Sequence, residues 1–319
     1  MKNKSIALIG GTGFIGTNFI YKYQSTFRSI ICIANDQQRF NSHKFAENVL
    51  FVKASSTKEE LISFLKAHEV EFLIDLAYST VPKTSFEDPL NDIISNLHAN
   101  VNTFEWVKQL DLKKIIWVST GGAIYGQTES LLIDEFHPVN PISPYGITKL
   151  AIEKYAYMYH KIFNLPIVCL RPSNVFGPHQ IPYRGQGFIA TAIASIMEGK
   201  TITVFGSKGS VRDYLYIEDL ITAIYLCLTL SKNGEVYNIG TGIGMNNLDI
   251  LNNLSEKALS IGKEVKIIIK DSRPFDVDYN VLDSSKFIRQ ASWDVKNNFS
   301  DSLAKTWQWY MNSFFQNIK

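Results

Sequence analysis

Ser5-Ile6-Ala7-Leu8-Ile9-Gly10-Gly11-Thr12-Gly13-Phe14-Ile15-Gly16 opens the chain with an apolar run, a glycine-rich turn and the start of a helix. A strand that ends in such a turn and leads into a helix is the setting in which three spaced glycines bind a dinucleotide. Gly10 permits the tight turn, Gly13 lets the backbone approach a pyrophosphate, and Gly16 lets the helix pack against the strand. The helix start, through Phe14 and Ile15, offers unpaired N–H groups and a partial positive charge to phosphate.

Downstream, short apolar runs alternate with longer helical patterns. Residues 30–34, 49–53, 72–77, 114–119 and 167–171 read as strands that are apolar on both faces, as in a parallel sheet covered on both sides. Residues 17–23, 58–69, 89–109 and 144–164 read as helices. This rhythm predicts βαβ units and a doubly wound α/β sheet. It loosens after about residue 174, where proline and glycine cluster over 177–187. A helix over 188–198, a strand over 202–205, a helix over 217–230 and a strand over 236–239 follow, then a mixed tail. A smaller C-terminal lobe against the sheet's carboxyl edge is expected.

Composition narrows the function classes. The 319 residues are 45% hydrophobic and 19% charged, and 32 Lys+Arg against 30 Asp+Glu leave a net charge of +2. Such a balance gives no field for steering to nucleic acid or an anionic membrane. The longest apolar stretch, near residues 220–230, is interrupted by Thr222 and Thr229, and a membrane span needs about 20 apolar residues. The N-terminal apolar run ends in glycines rather than a cleavage site, so no signal peptide is read. Cys32, Cys169 and Cys227 sit singly in apolar runs without metal spacing. They predict buried thiols in a reducing cytoplasmic compartment, and no metal site.

A second constellation carries chemistry. In Ser143-Pro144-Tyr145-Gly146-Ile147-Thr148-Lys149, Ser143 suits an N-cap and Pro144 a first helical position. Tyr145 and Lys149, four apart, share one helix face. A free phenol titrates near about 10; an ammonium, a helix N-terminus and an oxidised nicotinamide would all favour the phenolate. Such a phenol can take a hydroxyl proton while hydride leaves the same carbon. Ser119 and Thr120 follow a strand, where a side chain faces the ligand crevice; either hydroxyl could bond the reacting oxygen and the tyrosine. The acid that bonds an adenine ribose usually ends the second strand. Here the sequence reads Ala34-Asn35-Asp36, so Asn35 or Asp36 takes that place, with Arg39 nearby. NAD is favoured over NADP.

These residues resemble the extended short-chain dehydrogenase/reductase family, in its nucleotide-sugar 4-epimerase branch of the UDP-galactose 4-epimerase type. The resemblance runs over nearly the whole chain. It includes Gly10–Gly16, Asp88-Pro89-Leu90 with Asn96, Ser119–Gly126, Ser143–Lys149, Leu170–Asn174, Gly209–Tyr214, Tyr237–Gly240 and Arg273–Val277. It implies a Rossmann-type NAD-binding domain (1–173 and 213–247), a nucleotide-sugar-binding lobe (174–212 and 248–319) and often a homodimer. By the same resemblance, Tyr145 is the base, Lys149 holds the nicotinamide ribose, and Thr120 is the hydroxyl partner. Ala77 and Asn96 lie near the cofactor. Ser119 and Asn174 touch the substrate, Arg212 and Arg273 hold its phosphate or uridine side, and Asp276 its ribose. Two departures stand out: Ala34 and Ser55 occupy positions where acids are usual.

The activity expected is NAD-dependent epimerisation at C4 of a nucleotide-diphosphate sugar, a UDP-hexose being favoured. A 4,6-dehydratase needs further acid and base groups beside the hydroxyl, where this chain has Gly121 and Gly122. A reductase releasing NAD(P)H, or a silent nucleotide sensor, are the remaining alternatives.

Overall fold

The computed structural model describes residues 1–273 and 277–316. Seven strands form its main sheet: β1 (Ser5–Ile9), β2 (Ser29–Ala34), β3 (Val49–Lys53), β4 (Val70–Asp75), β5 (Lys114–Val118), β6 (Ile167–Pro172) and the edge strand Val236–Ile239. Across the sheet they run β3-β2-β1-β4-β5-β6-edge, and each adjacent pair is parallel. The winding reverses between β1 and β4, which opens a crevice at their carboxyl ends.

Alternation along each strand sends side chains to two cores. Ile6, Leu8, Ile30, Cys32 and Ile116 face one core, with Phe19, Ile20 and Ile221 from the helices Phe14–Tyr23 and Ile217–Leu230. Ala7, Ile31, Leu73, Ile115 and Trp117 face the other, with Leu61, Phe104 and Ile152 from the opposite helical layer. The first core continues into the C-terminal lobe through Phe176, Ile193, Leu251 and Trp307. Outside the main sheet, Val211–Tyr216 pairs with Asn174–Phe176, Gly244–Met245 and Tyr279–Asn280. Ile202–Phe205 pairs with Ile267–Lys270.

The expected elements are present with local differences. The first helix starts at Phe14, straight from the glycine turn. β4 stops at Asp75, two residues short of the expected end, because the Ala77 N–H donates to the Asp75 carboxylate at 3.0 Å and turns the chain. The helix expected over 89–109 is broken in type: Pro89–Asp92, a π-helical stretch Ile93–Leu97, then His98–Val107. Asp88 caps it, accepting from the Asn91 N–H at 2.9 Å. A short helix, Pro82–Glu87, was not expected. Ser143 caps Pro144–Phe163 as expected, accepting from the Gly146 N–H at 3.1 Å.

Two long-range features fix the site's far side. Arg171 on β6 makes a two-pronged ion pair to Glu153 (2.9 and 2.6 Å), and donates to the Tyr125 hydroxyl at 2.9 Å. Tyr125 in turn donates to Asn238 at 2.7 Å, so the helix Pro144–Phe163, β6 and the edge strand are tied by one buried network. Among the described residues no helix is long and apolar enough to cross a membrane. No group of three or more His, Cys, Asp or Glu among them is placed to hold a metal ion. All three cysteines are buried free thiols.

Candidate active site

A cleft of about 370 Å³ lies at the carboxyl ends of β1, β4, β5 and β6. Gly10, Gly13, Phe14, Ile15 and Gly16 form one end; Ser119, Thr120, Tyr145, Lys149 and Asn174 line the rest, with Tyr78 and Thr80.

The glycine end is built by close approach. Gly10 has φ +77°, and a Cβ there would sit 3.1 Å from the Ala77 backbone nitrogen. This places Ala77 directly beside the loop. A Cβ on Gly16 would meet the Gly11 carbonyl at 2.5 Å, so the helix can lie against the turn only without a side chain there. Gly13 caps the helix with no side-chain bond, and no acid sits in the first turn. The first-turn N–H groups therefore face the cleft with their partial positive charge uncancelled. This end fits a pyrophosphate.

At the other end, Tyr145 is buried, and its backbone N–H donates to Ser85 Oγ at 3.1 Å. Its ring lies edge-on to Tyr78 with centroids 5.1 Å apart. Burial pushes the phenol up to about 12; the Thr120 hydroxyl, bonded to it, pulls it down, and the Asp92 charge raises it further. Thr120, rather than Ser119, is thus the tyrosine's partner; Ser119 Oγ is buried with no partner among the described residues.

Lys149 is also buried. Its Nζ donates to the Val118 carbonyl at 2.8 Å and stands 4.1 Å from the Tyr78 ring centre, 4.6 Å from that of Trp117 and 6.0 Å from that of Tyr145. Burial pulls the ammonium down to about 7, against the Asp75 and Glu153 charges that raise it. Lys149 alone therefore does not make Tyr145 acidic; the other contributors expected from the sequence, the oxidised nicotinamide above all, are needed as well. The chain alone leaves the phenol neutral, because desolvation outweighs a cation six ångströms from the ring. A further positive charge in the cleft is what the pair lacks, and an oxidised nicotinamide carries one. The residues present therefore fit a pyridine dinucleotide.

The remaining expected residues are distributed around this core. Asn96 is buried behind the cleft: its Oδ1 accepts from the Ser79 N–H at 2.8 Å, and its Nδ2 donates to Thr80 Oγ1 at 3.0 Å. It shapes the wall that Thr80 presents. Asn35 is exposed just past β2, whereas Asp36 is committed to capping the next helix, accepting from the Arg39 N–H at 2.8 Å. Asn35 is thus the uncommitted side chain of the two. Arg212 lies two residues before the cleft-lining Tyr214 on one strand, and donates to the Val211 carbonyl at 2.9 Å. Arg273 stacks on Phe205, 4.2 Å from its centre. Asp276 lies outside the described residues.

Sequence reasoning missed Asp75, Tyr78, Thr80 and Asp92. Asp75 ends an otherwise apolar strand on the face that Lys149 crosses, and burial pushes its carboxyl up to about 6. An acid closing a run such as Phe72-Leu73-Ile74 was the available signal.

Residues 6–240 match the NAD dependent epimerase/dehydratase family. The UDP-glucose 4-epimerase of Thermotoga maritima, solved with UDP-glucose, has a TM-score of 0.87 at 29% identity, over 97% of this chain and 99% of that one. The UDP-glucose 4-epimerase of Thermus thermophilus, solved with NAD, has a TM-score of 0.86 at 28% identity, over the same shares, 97% and 99%. The UDP-N-acetylglucosamine 4-epimerase of Methanobrevibacter ruminantium, in complex with UDP-N-acetylmuramic acid, has a TM-score of 0.86 at 26% identity, over 98% and 100%. With a glycine loop and a Tyr145–Lys149 pair at two ends of one cleft, and the match extending over most of its length, the chain belongs to the NAD dependent epimerase/dehydratase family.

Proposed function

We propose that this protein is an NAD-dependent epimerase that inverts C4 of a nucleotide-diphosphate sugar, with UDP-hexoses as the substrate class. The observation that carries the reading is Tyr145, bonded to Thr120, at the opposite end of one cleft from an uncapped helix N-terminus. Bound along that cleft, NAD supplies a hydride acceptor at its nicotinamide ring. Gly10, Gly13, Phe14, Ile15 and Gly16 would hold its pyrophosphate; Asn35, Ala77 and Asn96 would border the adenosine and the wall, and Lys149 its nicotinamide ribose. Tyr145 takes the proton of the sugar 4-hydroxyl as the C4 hydrogen leaves with its electron pair. Thr120 holds that oxygen against the phenol. The keto sugar would then turn over and be reduced from its other face by the bound cofactor, with Tyr145 giving the proton back.

Turning the sugar requires that the nucleotide stay anchored. Asn174, Arg212, Arg273 and Asp276, with Ser119 nearer the chemistry, are assigned to that hold. Arginine suits it because its planar fork matches phosphate oxygens. The lobe formed by 174–212 and 248–319 is assigned to the nucleotide sugar. A dehydratase finds no support at Gly121, where a Cβ would sit 2.3 Å from Leu282 Cδ1 and 3.0 Å from the Arg171 carbonyl. A side chain there would have to displace Leu282 and press on the β6 carbonyls. Purified protein incubated with UDP-, dTDP- and GDP-sugars and read by NMR tests the reading. C4 inversion without net NAD(H) change is expected; net reduction, or a 6-deoxy product, would reject it.

We further propose a homodimer in the cytoplasm. Leu90, Ile94 and Ile147 are 71%, 68% and 55% exposed on neighbouring helices, which supports an apolar contact face there. The buried thiols suit a reducing compartment. Ile94→Glu should shift sedimentation from dimer to monomer; an unchanged sedimentation coefficient would place the interface elsewhere.

A further inference from the structure

Asp92 closes the turn Pro89–Asp92 and opens the π-helical stretch Ile93–Leu97. It is fully buried. Its Oδ1 accepts a short bond from Thr80 Oγ1 and one from Asn96 Nδ2 at 3.2 Å, with the Tyr78 hydroxyl 3.5 Å away. These donors all converge on one of its two oxygens. Its Oδ2 is buried with no partner among the described residues. A half-satisfied buried acid costs stability, and an apolar residue of similar size would remove that cost.

What the acid stands behind is the reacting pair. Tyr78 and Thr80, its two hydroxyl donors, line the cleft. The Tyr78 ring lies edge-on to Tyr145 at 5.1 Å and beneath Lys149 Nζ at 4.1 Å. One aromatic ring therefore separates the carboxylate from both the phenol and the ammonium. The other ionisable groups around them are Asp75, on β4, Glu153, on the same helix as Lys149 and held by Arg171, and the buried thiol of Cys169, on β6.

We propose that Asp92 is a positioning residue whose buried negative charge, one ring behind Tyr145, keeps the phenol able to take its proton back. The inference rests on the epimerase reading, because a reaction that goes out and back across one hydroxyl needs the same group as base and then as acid. Proton transfer is fastest in both directions when the group's affinity for the proton lies near the working pH. The cofactor's positive charge and the bonded hydroxyl of Thr120 pull the phenol towards ionisation. Without a counterweight a phenol pulled down in this way would be a weak base and take the sugar's proton poorly. Asp92 raises the phenol, second to burial among the causes that do so, and also favours the Lys149 ammonium.

Asp92→Asn keeps the shape and an acceptor for Thr80 while removing the charge. In NAD-loaded protein, the near-ultraviolet phenolate signal, taken as the difference from Tyr145→Phe, should titrate about one pH unit lower in Asp92→Asn than in wild type. The acidic limb of the turnover profile should move down with it, and the variant should melt no lower than wild type. Asp92→Ser repeats the titration should the amide not fold. A midpoint that stays or rises overturns the proposal. So does an equal fall in Thr80→Val, which removes a donor and leaves the charge. The titration needs no sugar. Absence of turnover on every nucleotide sugar would therefore sink the epimerase reading, whereas an unmoved midpoint in an active enzyme would sink this inference alone.

Discussion

Tyr145→Phe should slow turnover by about 10²–10⁴-fold, the range of a lost general acid–base group, with little change in fold or in NAD retention. The ring is what packs: it keeps its edge-on contact with Tyr78, and its backbone N–H keeps Ser85. Only the hydroxyl goes, leaving Thr120 without its partner. Because the phenol is held high by burial, the wild-type rate should climb with pH until the NAD-loaded phenol ionises. The Phe variant should show no such limb. Steady-state kinetics across pH on an accepted nucleotide sugar measure both effects. A near-normal rate in Tyr145→Phe, or a surviving limb of the same shape, would reject Tyr145 as the proton-transfer group. The substrate's KM should move far less than kcat, since the remote nucleotide contacts are untouched.

How far the sequence reaches is visible in these same residues. The alternation of Ile6, Ala7 and Leu8 between two cores is written in the apolar run itself, because a strand buried on both faces has no polar side to hide. Gly10 and Gly16 are legible since each stands where a side chain has no room. Tyr145 and Lys149 are legible because helical spacing is a local rule. What is not legible depends on elements far apart in the chain. Thr80 and Asp92 become one site only when the loop after β4 docks on a helix a dozen residues later. Val211–Tyr216 finds Asn174–Phe176 by a pairing that no local pattern announces. The state of Tyr145 and Lys149 in the cofactor-free chain is hidden for the same reason. Proximity of a cation could be read from four-residue spacing, but the depth of burial could not, and here burial decides.

Lys149→Met should cost turnover about 10²–10³-fold, as for a lost electrostatic contact to the reacting region, and yet make the protein harder to unfold near pH 7. Burial pulls the folded-state ammonium down to about 7, whereas an unfolded lysine titrates near about 10.4. Between those values the unfolded chain binds a proton that the folded one does not, so stability rises with pH there. Below the lower value the penalty is complete; towards the upper it fades. Methionine, similar in length and uncharged, escapes that penalty but loses the bond to the Val118 carbonyl and leaves Asp75 without its nearest cation. Asp75, already raised by burial, takes up a proton in response. The net gain expected is about 1–3 kcal/mol at pH 7, shrinking towards zero by about pH 10. Urea unfolding of the cofactor-free protein at the two pH values measures it. Equal or lower stability at pH 7, or a gain that does not shrink at high pH, would show that the lysine is not held against its charge. The gain, if found, identifies Lys149 as a group retained at a cost to the fold, which makes sense only for one whose charge acts on a bound ligand.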